Sequence, residues 1–99
     1  MDDVKLTFYC GPTDADTLVD AIREVSDQPV HVRAEIVHGR DFGDARISEQ
    51  VAGTLNRTAL DVVARRDAAE AVVIAVGCAR RGQPVRWVMT PVLARGRLP

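Results

Sequence analysis

The order strand, helix, strand, strand, helix, strand predicts an α+β sandwich, and three observations in the sequence support it. Period-two apolar alternation marks residues 4–10, 30–36, 57–65 and 85–92 as strands. Helix-spaced apolar residues mark 14–26, and an alanine-rich stretch with helix-ending chemistry marks 66–82. The composition, 99 residues with 46% hydrophobic and 27% charged, is that of one globular domain. Two right-handed βαβ halves sharing one antiparallel sheet, with both helices on one face, make a ferredoxin-like sandwich spanning residues 1–99.

In the first strand Val4, Leu6 and Phe8 share a face opposite Lys5, Thr7 and Tyr9, and Gly11-Pro12 ends it. Thr13 with Asp16 three residues on forms an approximate capping box, and Leu18, Val19, Ile22 and Val25 follow on one helix face. Pro29 opens a second strand, where Val30, Val32, Ala34 and Ile36 alternate with His31, Arg33 and Glu35 until His38-Gly39 breaks the pattern. A polar, glycine-punctuated stretch, HGRDFGDARISEQVAG, comes next. Alternation then resumes, with Leu60 and Val62 on one face and Asp61 and Arg65 on the other. The stretch RDAAEAVVIAVGCARRG contains a β-branched run that suits a strand. Asp67 and Glu70 at its start, its alanines, and the ending Arg80-Arg81-Gly82 favour a helix instead. Apolar residues nearly encircle that helix, so a second subunit is expected to cover part of it. The last strand alternates Val85, Trp87 and Met89 with Arg86, Val88 and Thr90 before the basic tail LARGRLP.

A domain of this size buries only about 60–65% of the surface its unfolded chain exposes, so self-association adds stability. Apolar residues on the uncovered face of the sheet point the same way, toward a homo-oligomer. A formal net charge of −1 supplies no global basic field, and no nucleic-acid partner is expected. No apolar run approaches the roughly 20 residues of a membrane span, and the N-terminus does not read as a signal peptide, which predicts a cytoplasmic protein without membrane insertion. Cys10 and Cys78 lie in apolar runs without CxxC spacing and read as two buried thiols of a reducing compartment.

The long excursion between the second and third strands, the run Ser48-Glu49-Gln50-Val51-Ala52-Gly53, and the ending Val88-Met89-Thr90-Pro91-Val92 followed by Gly96-Arg97-Leu98 resemble the PII signal-transduction superfamily. They are most similar to an uncharacterised PII-like group with a shortened T-loop, which here spans about 38–55. The resemblance implies a homotrimer with ligand clefts between subunits and a T-loop that touches a partner. For this group it also implies an association with heavy-metal efflux systems, so that a membrane transporter is the partner expected. The CutA divalent-cation-tolerance family has the same fold and trimeric form, but its motifs are not evident here.

Nucleotide-binding PII proteins place a glycine-rich turn ending in lysine before the last strand, where backbone amides and one cation meet phosphates. This chain has Arg80-Arg81-Gly82-Gln83-Pro84-Val85-Arg86 there, with Arg86 in the lysine's place and Pro84 removing an amide donor. That departure weakens the case for ATP or ADP and leaves Gly39, Arg80, Arg81, Gly82 and Arg86 as candidates for binding a nucleotide or another anion. The competing reading of the same arginines is a solvated helix end. His38, Asp41 and Asp44 recur every third residue, a donor set for a divalent metal such as zinc, nickel or cobalt. The competing reading of His38 is a strand-end residue bonded to backbone or water. Phe42, flanked by Arg40, Asp41 and Asp44, reads either as a partner anchor of the excursion or as a side chain that tucks into its own trimer. No nucleophile, base and orienting group assemble from the sequence, so the function expected is that of a non-enzymatic sensor. The alternatives are a constitutive structural or adaptor trimer and a CutA-like metal-tolerance protein.

Overall fold

The computed structural model of the chain describes residues 2–39 and 53–99. Alternating side chains form β1 (Asp3–Cys10), and a 3₁₀ turn (Pro12–Asp14), closed by Asp14 N–H donating to the Gly11 carbonyl, leads into α1 (Ala15–Val25). Strands β2 (Val30–His38) and β3 (Thr54–Arg65) follow. Helix α2 (Arg66–Ala79) begins where β3 ends, and β4 (Arg86–Val92) completes the chain. The sheet order is β2-β3-β1-β4 with every neighbouring pair antiparallel, the arrangement of the predicted ferredoxin-like sandwich.

The core follows from the register of the two central strands. Val4, Leu6, Phe8 and Cys10 of β1 stand opposite Ala64, Val62, Leu60 and Thr58 of β3, so their side chains emerge on one face. Against that face α1 packs Ala15, Leu18 and Ile22, and α2 packs Ala69, Val72 and Val76. Each large side chain so buried contributes about 1.5–3 kcal/mol. The AVVIAV run is helical as expected, and it leaves Ile74 facing outward.

The two helices roof the central strands and not the edges. Ile36 of β2 and Trp87 of β4 lie on the helix-facing side, yet they are 67% and 45% exposed. The opposite face, expected to be apolar, is mixed: Lys5, Thr7, Tyr9, His31, Arg33 and Asp61 intersperse with Ala59, Val63 and Val88. The apolar surface open to association is therefore concentrated at the sheet edges.

Three local expectations change. Neither Thr13 nor any other side chain caps α1, because Pro12 and the 3₁₀ turn start the helix through backbone bonds. The β2–β3 ladder extends to the pair His38–Thr54, so the excursion is narrower than 38–55. Its outermost rungs gain from backbone pairing what they lack in apolar patterning. Cys10 is buried with its thiol toward the Thr58 carbonyl, whereas Cys78 lies on the outer side of α2 and is exposed. Burial pushes the Cys10 thiol up to about 11, Asp14 adding to the rise and Arg57 opposing it.

Two predictions follow from this packing. Phe8→Ala removes a fully buried ring and is expected to cost about 3–5 kcal/mol in urea denaturation at fixed protein concentration. In thiol labelling at neutral pH, native protein is expected to show one fast-reacting cysteine, lost in Cys78→Ser, and two once unfolded.

Candidate functional site

The turn between α2 and β4 holds four of the residues read from the sequence as anion ligands. Arg80 ends the helix with its N–H on the Val76 carbonyl at 3.1 Å, and its guanidinium donates to the Gln83 carbonyl at 3.1 Å. Arg81 and Gly82 both take positive φ, 54° and 78°, to reverse the chain, a conformation that costs a non-glycine residue about 1–2 kcal/mol. Arg86 opens β4 with its guanidinium carbon 5.3 Å from the centre of the Tyr9 ring. No hydrogen bond or ion pair joins these arginines to one another among the described residues. Gly39 follows the last residue of β2, and His38 is exposed at that strand end opposite Thr54. Arg40, Asp41, Phe42 and Asp44, and residues 48–52 of SEQVAG, lie outside the described residues. Among the described residues no three His, Cys, Asp or Glu side chains come together as a metal site.

A different set of cations converges on the open face of the sheet. Cross-strand pairing sets Thr7, Asp61 and His31 in one row across β1, β3 and β2, with Asp61 in the middle. Asp61, its side chain 10% exposed, accepts from Arg33 Nε at 2.8 Å, from a second Arg33 nitrogen at 3.2 Å and from the Thr7 hydroxyl. Lys5 Nζ stands 4.0 Å away, and Arg33 also reaches Glu35 at 3.3 Å. Burial alone would push the Asp61 carboxyl up, but the hydrogen bonds from Arg33 and Thr7 and the charges of Arg33 and Lys5 outweigh it. The carboxyl is held below its ordinary range.

The C-terminal tail completes the enclosure. Arg95 donates to Asp3 at 3.0 Å and to the Gln28 side chain at 3.1 Å, which draws the tail across the end of the sheet. The result is a groove of about 920 Å³ whose lining includes Lys5, Gln28, His31, Arg33, Asp61, Val63, Arg95 and Arg97. Among the described residues Asp61 is the lone carboxylate in that lining, and both of its oxygens already accept hydrogen bonds. Arg97 and His31 have no hydrogen bond or ion pair among the described residues, and Lys5 is half exposed. The unspent donors, the Lys5 and Arg97 cations among them, face the groove, a surface suited to phosphate or carboxylate groups. Sequence reading missed this set because its members sit on three strands and a tail. The available signal was the polar odd-numbered positions of β1 and β2, aligned by Asp61 of β3.

Comparison with known proteins places this geometry in context. The family model described as "Protein of unknown function (DUF3240)" matches residues 1–99. No curated protein matches the chain. Among solved structures, a DUF3240 family protein from Shewanella baltica is similar at a TM-score of 0.80 and 14% identity, over 98% of this chain and 97% of that one. A Bacillus cereus protein related to NIF3 is similar at a TM-score of 0.74 and 10% identity, over 97% of this chain and 26% of that one. At such identities the likeness shows a shared fold.

The Asp61 network yields a pH prediction. Folding lowers the Asp61 pKa, so the native state binds that proton more weakly than the unfolded chain does. Its stabilisation is complete above the unfolded value of about 4 and is lost as pH falls through the lower folded value. Asp61→Asn is expected to cost about 1–3 kcal/mol at pH 7 and to flatten the acid limb of a stability profile measured between pH 2 and 6.

Proposed function

The chain belongs to the DUF3240 family, and from this premise and the cationic groove we propose a non-enzymatic regulatory binding protein, similar to the PII proteins, that responds to a small anion. The observation carrying the reading is the convergence of Lys5, His31, Arg33, Arg95 and Arg97 on one groove where, among the described residues, the single carboxylate is already hydrogen-bonded at both oxygens. Such a surface recognises charge. Asp61, already accepting from Arg33 and Thr7, serves as the fixed centre that orients Arg33 and leaves Lys5 and Arg97 for a ligand. The ligand class is a phosphate- or carboxylate-bearing small molecule, a nucleotide among them. In this reading the protein is a cytoplasmic homotrimer. Its excursion, through Arg40, Phe42 and Asp44, contacts a partner such as a heavy-metal efflux transporter, and His38 with Asp41 and Asp44 offers a divalent metal a second point of control.

Calorimetry with ATP, ADP, AMP and inorganic phosphate tests the sensing role. At least one of these anions is expected to bind, and Lys5→Ala or Arg97→Ala is expected to weaken it on the order of tenfold. A parallel titration with zinc, nickel and cobalt reports on the excursion. Absence of heat from every anion and every metal removes the sensing role.

A further inference from the structure

The unspent donors of the groove arrive from separate elements. Lys5 comes from β1, His31 from β2 and Arg97 from the tail, whereas Arg33 is already held by Asp61 and Glu35, and Arg95 by Asp3 and Gln28. One compact anion is met from one side, but anionic groups joined in a chain can meet donors of all three elements at once. We propose that the ligand is a chain of linked phosphates, as in a nucleoside triphosphate or inorganic triphosphate, and that the groove reads its charge without reading a base. The inference rests on the anion-binding role of the preceding reading and names the ligand class.

Charge and donor shape both favour phosphates. Among the described residues the lining sets Lys5, Arg33, Arg95 and Arg97 against the carboxylate of Asp61. Asp3 and Glu35 hold Arg95 and Arg33 from outside the lining, and even with them the cations exceed the acids. A carboxylate pairs best with a coplanar guanidinium fork, and the fork of Arg33 is spent on Asp61. Lys5, 4.0 Å from the same carboxylate and half exposed, is a point charge that takes a phosphate oxygen from any direction.

The same lining has little with which to read a base. No Phe, Tyr or Trp stands in it among the described residues, so a purine finds no large ring to stack on. Its side-chain amide, that of Gln28, is spent at both ends: the oxygen accepts from Arg95 at 3.1 Å and the nitrogen donates to Asp27 at 3.2 Å. Affinity is therefore set by the phosphate chain, and nucleotides with different bases are alike to the groove.

Titration of the full chain at about pH 8 without added metal, where phosphate groups are almost fully ionised, tests the ligand class. Affinity is expected to climb about tenfold with each added phosphate, from inorganic phosphate through pyrophosphate to triphosphate. ATP and GTP are expected to bind within about threefold of each other. Arg97→Ala, a change at an exposed tail residue, is expected to narrow the gap between triphosphate and phosphate to about tenfold or less. Phosphate matching triphosphate, citrate exceeding it, ATP at least ~tenfold tighter than GTP, or an unchanged ladder in Arg97→Ala would each overturn this ligand class while leaving the anion-binding role standing. Binding of none of these anions removes that role, and the ligand class falls with it.

Discussion

The antiparallel register of β1 against β3 is the constraint on which the rest of the molecule depends. It sets Leu6 beside Val62 and Phe8 beside Leu60 on one face, and Thr7 beside Asp61 on the other. A slip of one residue would carry Asp61 into the apolar core and Phe8 into water, so both faces resist it. The helices then have one place to dock, and Leu18, Ile22, Val72 and Val76 converge on the face that register provides. Short connections reinforce the choice, since β3 passes directly into α2 and Arg66 N–H reaches back to the Asp2 carbonyl at 2.8 Å.

On the open face the same register makes an electrostatic device. A carboxylate as buried as Asp61 is costly unless its lone pairs are filled, and Arg33 and Thr7 fill them from the two neighbouring strands. The network thereby ties β2, β3 and β1 together across the sheet. It also holds Arg33 through Asp61, while Arg95 is held independently by Asp3 and Gln28. Pre-positioned guanidinium groups lose little entropy when an anion arrives, which is what a binding surface requires.

The fold was legible because its signals are local. Alternation at Val4, Leu6 and Phe8, and at Leu60 and Val62, marks central strands whose one face must be dry, while Arg80-Arg81-Gly82 ends a helix wherever it stands. Strand ends at the excursion were less legible, because the His38–Thr54 rung is held by backbone pairing that side-chain pattern does not record. The groove was hidden for a related reason. Lys5, His31, Asp61 and Arg97 are far apart in the chain, and each alone reads as an ordinary solvated residue. Only the strand order β2-β3-β1-β4 brings them together. The α2–β4 arginines show the reverse case, conspicuous in sequence because they are consecutive, with Arg80 engaged in closing its own helix.

The likeness to a NIF3-related protein, of which the matching region is 26%, shows that this sandwich also occurs within a larger chain. A fold reused in that way does not specify a function, so the functional argument must come from side chains that folding does not need. Core positions such as Phe8 and Leu60 would be apolar in any such sandwich. Arg97 is different: it buries nothing, pairs with no acid among the described residues, and stands over an already cationic face. Folding energy gives no reason for a further positive charge beside Lys5 and Arg95, since like charges repel. An anion of the class proposed above would turn the repulsion among these groups into attraction for itself.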